Sequence, residues 1–334
     1  MTTKTLPRSG SRGTSGSTGF PPLRCWALAS TALLVVVLGV SSRQAYGQAA
    51  QDEEEIPPPQ DLWLETPRDA VELAVTYYPP IEPGKDVVPV VLLHPYKGSR
   101  RDYVELAGAL QRAGHAVVLP DLRGHGRSTT SARLPRPLDA DRLRPDDFRQ
   151  MVLDDMEAVN RFLWERNNEG VLNVNRLCLV GAEMGASIAL LYAARDWSIA
   201  DYGALQLGRF VKGLVLISPE WSFKGLPLQH AMRHPAIRNE ISMLIAVGGR
   251  RPAAVRDAGR IHGMIRPHRP DPSRERAAEE RDLFYAELDT ALQGTDILGQ
   301  GLKLEQFVAQ FINLRLVRAR GREFEWRERR RPHQ

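Results

Sequence analysis

Apolar and polar residues follow two alternating patterns from about residue 70 onward. Val87–Leu93 is a valine-rich apolar run, typical of a strand buried on both faces of a sheet. Tyr103–Ala113 has its apolar residues at helical spacing and is followed by Gly114, a residue that favours helix ends. Asp146–Glu165 repeats the helical spacing over a longer stretch and predicts an amphipathic helix.

The remainder of the chain continues this alternation. Further strands are predicted at Val71–Tyr78 (as an edge strand), Ala116–Pro120, Arg176–Val180, Val211–Ser218, Ile241–Gly248 and Asp282–Leu288. Further helices are predicted at Met184–Ala194 and Leu302–Val317, with a helix and a loop in Arg250–Arg281. Strands that alternate with helices imply an α/β protein with a doubly wound, mostly parallel sheet.

Residues 1–47 have the organisation of a signal peptide. Basic residues precede an apolar run of 16 residues, Cys25–Val40, and Ala45 and Gly47 then supply the small residues that a signal peptidase requires. The run is shorter than the roughly 20 residues of a membrane-spanning helix. We therefore expect export to the periplasm or the exterior, with cleavage near Gly47; an uncleaved membrane anchor is the alternative.

Composition divides the rest of the chain into three parts. Residues 48–61 are acidic and rich in proline, which predicts a linker to the domain at 62–317. Residues 318–334 are rich in arginine, with glutamates between, and predict a solvated, fraying tail. The net charge of +5 is carried by residues 1–47, which hold five basic residues and no acidic one. With no nucleic-acid-binding motif present, we expect no nucleic-acid partner, and a membrane partner only if the N-terminal segment is uncleaved.

Three motifs in the first half of the domain follow one another in a familiar order. A predicted strand ends in HPYKGS at residues 94–99, and DLRGHGRS follows the next strand at residues 121–128. Residues 181–185, GAEMG, have the glycine spacing of the strand–turn–helix elbow G-x-S-x-G. Together, over about Asp69–Ala194, these motifs resemble the α/β-hydrolase family. The resemblance implies that family's fold, with little or no cap domain.

At each position where this resemblance implies a catalytic residue, the chain carries a different one. Glu183 replaces the serine at the centre of the elbow. Arg251, in GGRRP at residues 248–252, stands where family members carry the acid, and Gln293 stands where they carry the histidine. The resemblance also implies that the backbone N–H groups of Tyr96 and Met184 occupy the oxyanion-binding positions.

These substitutions change the expected chemistry, because a hydroxyl nucleophile needs a histidine as base and an acid that orients it. They favour an exported protein without catalytic activity that binds a small molecule or a protein, and that needs neither cofactor nor metal. A hydrolase of esters, lactones or amides that acts without a serine stays open. Family members with a carboxylate at the elbow use Asp together with a His, and Glu183 has no evident His partner. A dinucleotide-binding turn is a third reading of the same glycines, but Glu183 would repel a pyrophosphate.

The substituted positions also lead to a structural expectation. In the family, the elbow and the loops that carry the acid and the histidine converge at the carboxyl edge of the sheet. A carboxylate at the elbow would be partly desolvated, which is costly unless it is paired. We therefore expect Glu183 and Arg251 to form a salt bridge, with Gln293 nearby as a third partner.

Overall fold

The computed structural model describes residues 56–203, 205–269, 280–318 and 324–329 of the chain. The predicted signal peptide lies outside the described residues, as do residues 48–55 of the predicted linker and residues 319–323 and 330–334 of the predicted tail. No helix within the described ranges is long and apolar enough to cross a membrane.

The centre of the described chain is an eight-stranded sheet. Its strands, in the order in which they lie side by side, are β1-β2-β4-β3-β5-β6-β9-β10. Two further short strands, β7 and β8, form a separate hairpin. The bounds are β1 (Gln60–Glu65), β2 (Glu72–Tyr78), β3 (Pro89–Leu93), β4 (Ala116–Pro120), β5 (Leu177–Ala182), β6 (Val211–Ile217), β7 (Ser222–Phe223), β8 (Leu226–Pro227), β9 (Ser242–Gly248) and β10 (Leu283–Leu288). β1 and β2 pair antiparallel to their neighbours, and the strands from β4 to β10 in this order are parallel.

Helices cover both faces of this sheet. They are α1 (Val104–Arg112), α2 (Pro145–Gln150), α3 (Met156–Asn168), α4 (Met184–Ser198), α5 (Leu228–Arg233), α6 (Pro235–Asn239), α7 (Pro252–Ile265) and α8 (Leu304–Ile312). Two apolar clusters form the core, one on each face of the sheet. Every residue of β3, β4, β5 and β9 is buried, which explains why these strands read as continuous apolar runs. The predicted doubly wound, mostly parallel α/β sheet is confirmed.

Three local differences separate the structure from the sequence-based prediction. β2 is not an edge strand, because β1 lies outside it and begins at Gln60, within the predicted linker. The helix predicted at Asp146–Glu165 consists of α2, a π-helical turn at Met151–Asp155, and α3. Between β6 and β9 the β7–β8 hairpin and the short helices α5 and α6 form a small insertion.

The described part of the C-terminal tail is docked on the domain, and the prediction of a fraying tail is wrong for it. The side chain of Asn168 donates to the carbonyl of Arg329 at 2.8 Å and accepts from its N–H at 2.7 Å. Asn173 donates to the carbonyl of Phe324 at 2.8 Å. These bonds engage the backbone of the tail, so its arginine-rich composition gave no signal for them.

Candidate functional site

The turn between β5 and α4 has the geometry of a nucleophile elbow. Glu183 at its centre adopts φ 50° and ψ −109°, a strained conformation for a residue with a side chain. A Cβ on Gly181 would overlap the backbone of Gly185, and one on Gly185 would overlap the carbonyl of Leu93. The glycine spacing read from the sequence is therefore a packing requirement. It turns the Glu183 side chain out of the sheet at its carboxyl edge.

A cavity of about 310 Å³ lies beside this elbow. Glu183, Arg251 and Gln293 all line it, so the structure brings the three substituted positions together. They come from the ends of β5, β9 and β10, which meet at one edge because these strands are parallel. The rest of the lining is Ser218, Pro219, Glu220, Pro252, Ala253, Ala254 and Asp257.

The loop that carries Gln293 packs directly against the elbow. A Cβ on Gly294 would lie 3.0 Å from Oε1 of Glu183, and Gly294 has a positive φ of 57°. Its N–H donates to the hydroxyl of Ser218 at 2.9 Å, which ties the loop to the end of β6. Gln293 is only 8% exposed, and its Nε2 donates to the carbonyl of Gly248 at 2.9 Å. Its Oε1 is buried without a hydrogen-bond partner.

The predicted salt bridge between Glu183 and Arg251 is not formed: in the described chain neither side chain has an ion pair with the other. Arg251 is exposed at the residue before α7, and the Glu183 carboxylate packs against Gly294. Burial raises the pKa of Glu183, Asp296 raises it further, and Arg251 opposes both through space. Because Glu183 is only half-buried, solvent offsets part of the desolvation cost that motivated the prediction.

Sequence reasoning missed two further carboxylates in this cavity, Glu220 and Asp257. Burial raises the pKa of Glu220, and the charges of Glu183 and Asp257 raise it further. Asp257 accepts a hydrogen bond from the N–H of Trp221 at 3.3 Å. Glu220 could have been found, because it follows the strand predicted at Val211–Ser218 and parallel strands end at the same edge. Asp257 lies on a helix face, where the sequence offered no comparable signal.

The two predicted oxyanion-binding residues, Tyr96 and Met184, do not line this cavity. Met184 is the first residue of α4, so its N–H has no partner within that helix. The centre of the Tyr96 ring lies 5.5 Å from that of Phe223 in the β7–β8 hairpin. The Tyr96 hydroxyl donates to the carbonyl of Ala140 at 3.0 Å. The ammonium of Lys224 lies 3.8 Å from the centre of the same ring. The β7–β8 hairpin therefore packs against the Tyr96 ring.

Histidines near the elbow belong to the loops, and none lines the cavity. His94 accepts the N–H of Leu122 at Nε2 (3.0 Å) and donates from Nδ1 to the carbonyl of Pro95 (2.8 Å). Burial lowers the pKa of His94 to about 4, and the charge of His125 lowers it too. His125 in turn bonds the carbonyl of Arg123 at 3.0 Å. Both histidines hold loop backbone.

The described residues contain no cluster of three or more histidine, cysteine or acidic side chains arranged to hold a metal ion. What the cavity does offer is three carboxylates, one arginine and a glutamine oxygen. The carboxylates and the glutamine oxygen can accept hydrogen bonds, and the carboxylates can bind positive charge. None of the described residues that line the cavity is a histidine, the base that activates a hydroxyl nucleophile in a Ser-His-Asp triad.

Comparisons with known proteins agree with this fold. The family model described as serine aminopeptidase, S33, matches residues 86–245. An esterase from Pyrococcus furiosus is 16% identical with a TM-score of 0.52, over 78% of this chain and 91% of its own. A dienelactone hydrolase from Anabaena variabilis is 15% identical with a TM-score of 0.51, over 77% of this chain and 99% of its own. A carboxyl esterase from Bacillus coagulans is 13% identical with a TM-score of 0.52, over 78% of this chain and 100% of its own.

No curated protein sequence matches the chain. At these sequence identities the similarity to the solved structures establishes the fold alone. The sheet order, the elbow and these solved structures together show that the chain has the α/β-hydrolase fold.

Proposed function

We propose that this chain is an exported α/β-hydrolase-fold protein that does not catalyse hydrolysis and instead binds a ligand or partner in the cavity beside the elbow. The observation that carries the proposal is the elbow itself. Its strained geometry is kept, while Glu183 occupies its centre and no histidine is among the described residues that line the cavity. In this fold the hydroxyl, the base and the acid act as a unit, and losing one member removes most of the rate.

Turnover measurements test the absence of catalysis. We expect the purified protein to hydrolyse no member of a panel of ester, lactone and amide substrates above the rate of the buffer. The matched variants are Glu183→Ala and Asp86→Asn; the Asp86 side chain is 90% exposed and lies before β3, at the other end of the strands. Turnover that is lost in Glu183→Ala and kept in Asp86→Asn would overturn the proposal.

A second candidate function, a hydrolase that acts without a serine, is favoured by one observation. Glu183 and Glu220 share the cavity, and the pKa of each is raised above its ordinary value. A carboxyl group with a raised pKa can act as a general acid beside a carboxylate base. In that case Glu183→Gln and Glu220→Gln should each abolish the turnover of a panel substrate, with a bell-shaped pH dependence in the parent protein.

Export is the second part of the proposal, and it is supported by the basic, apolar and small-residue regions of residues 1–47. We expect the protein recovered from the cell envelope to begin near Gln48 when its N-terminus is sequenced. An intact Met1 in a membrane pellet that resists carbonate extraction would favour the anchored form.

A further inference from the structure

The charged groups that line the cavity are unbalanced. Glu183, Glu220 and Asp257 are acidic, and among the described residues of the lining Arg251 alone is basic. Within the described chain, neither the Glu183 carboxylate nor the Glu220 carboxylate forms an ion pair or a hydrogen bond. Both carboxylates are partly buried, and this burial is the main cause of their raised pKa values. The wall therefore presents negative charge that the protein itself leaves unpaired.

An independent feature of the same wall points to a ligand with hydrogen-bond donors. Gln293 lines the cavity and is 8% exposed, and its Oε1 has no hydrogen-bond partner. Its Nε2 is engaged by the carbonyl of Gly248 at 2.9 Å, so the amide is held with its oxygen left over as an acceptor. A buried acceptor without a donor is costly, and most such groups in folded proteins have a partner.

The size and the remaining lining of the cavity limit what can enter. About 310 Å³ is the lower end of the range for small-molecule sites. Pro219, Pro252, Ala253 and Ala254 are apolar and offer a surface for methylene groups. A macromolecule could insert only a side chain here, whereas a small molecule with a short aliphatic body fits within the cavity.

Resting on the proposed binding function, we propose that the cavity binds a small organic cation, a primary amine or guanidine with a short aliphatic chain. Its N–H donors are directed at Glu183, Glu220 and the Oε1 of Gln293, and its chain contacts the prolines and alanines. Charge-assisted hydrogen bonds of this type are stronger than neutral ones. An anionic ligand would face three carboxylates, and a neutral ligand would leave their charge uncompensated.

Arg251 gives this proposal a test of opposite sign. Its side chain is exposed and makes no ion pair with Glu183, yet its charge acts on that carboxylate. It should therefore repel a bound cation. Removing a carboxylate and removing this arginine are expected to change cation affinity in opposite directions, which nonspecific loss of structure would not do.

The experiment is calorimetric titration of the full chain with 1,4-diaminobutane and butylguanidine, and with 1,4-butanediol and succinate as neutral and anionic probes of similar length. We expect at least one of the cations to bind with a Kd below about 1 mM, and the diol and the succinate not to bind. Glu183→Gln and Glu220→Gln should each weaken cation binding about tenfold, which corresponds to about 1.4 kcal/mol, since each removes a charge-assisted hydrogen bond. Arg251→Gln should strengthen it several-fold, and Asp86→Asn should leave it unchanged.

Each of the other outcomes overturns either the cation proposal or the proposed non-catalytic function. Binding of succinate or the diol, no binding of either cation, or a shift of the same sign in the Arg251 and Glu183 variants overturns the cation proposal. Turnover of the ester, lactone or amide panel, measured on the same samples, overturns the proposed non-catalytic function instead. Thermal unfolding of every variant identifies one that has lost its fold. If Glu183→Gln has lost its fold, the cation affinities of Glu220→Gln and Arg251→Gln decide whether the cation proposal holds.

Discussion

Acidic side chains lie in two regions at the carboxyl edge of the sheet, and the two regions differ in whether these side chains are paired with a cation. In the loop after β4, Arg123 is 1% exposed and bonds Asp155 at 2.8 Å and Asp69 at 2.6 Å. In the cavity beside the elbow, Glu183 and Glu220 have no such partner in the described chain.

The difference between the two regions separates structural charge from available charge. A buried charge is tolerated only when it is paired and hydrogen-bonded, and the Arg123 region meets that condition. The cavity carboxylates are half-buried, so solvent bears part of their cost and they need no internal cation. Carboxylates left in this state are open to a ligand, whereas those around Arg123 are not.

The largest expected effect comes from breaking the paired region. Arg123→Met leaves Asp155, which is fully buried, and Asp69 without their cation. We expect the free energy of unfolding to fall by about 3 to 5 kcal/mol, the cost of leaving a buried charge uncompensated. Urea denaturation measures it. The control is Arg149→Met, since Arg149 and Asp146 are exposed partners at 2.9 Å whose loss should cost less than about 1 kcal/mol. Equal losses in the two variants would contradict the comparison.

Neutralising a cavity carboxylate should have a smaller effect of the opposite sign. The pKa of Glu183 is raised in the folded protein, so ionisation there is less favourable than in the unfolded chain. Stability from this group is therefore present below its ordinary pKa of 4.5 and is lost as pH rises through the raised pKa. We expect Glu183→Gln to stabilise the protein at pH 7 by about 1 kcal/mol or less, since the group is partly solvated.

The pH dependence provides the check on that result. The gain of Glu183→Gln in thermal unfolding should shrink as pH falls and vanish below about 4.5, where Glu183 is protonated in both states. A gain that is equal at every pH would mean that packing, and not charge, is responsible.

A smaller energetic coupling is expected between Glu183 and Arg251, the salt bridge that was predicted from the sequence. Because Glu183 and Arg251 form no ion pair, a double-mutant cycle with Glu183→Gln and Arg251→Met should give a coupling energy below about 0.5 kcal/mol. The same cycle on Arg123 and Asp155, with Arg123→Met and Asp155→Asn, should give several times more. A large coupling between Glu183 and Arg251 would show that the pair closes in solution.

Restoring the elbow serine alone is expected to give no gain in hydrolytic activity. Glu183→Ser should leave ester hydrolysis at the rate of the buffer, because Gln293 cannot accept a proton near neutral pH. Only the triple variant that also carries Arg251→Asp and Gln293→His is expected to show weak turnover. Clear activity of the single variant in a burst assay would reveal a base outside the predicted set.

The element order and the elbow were set by local rules, which is why they could be predicted. The valine-rich run at Val87–Leu93 is a central strand, and Gly181 and Gly185 are required because any side chain there would overlap backbone. Substitution of the elbow serine by Glu183 was visible for the same reason. β1 was missed because only alternate residues from Leu62 are partly covered and the others are exposed, so its composition resembles a linker.

What only the tertiary structure decided is which side chains share space. Sequence placed Glu183, Arg251 and Gln293 at one edge, but not that Glu183 packs on Gly294 while Arg251 stays exposed. It also gave no sign that Asp257 faces the cavity. Periodicity and glycine sterics act within a few residues and leave their pattern in the sequence. Contacts between segments that are far apart in the chain depend on side-chain direction and packing at each junction, and these exist only once the sheet has formed.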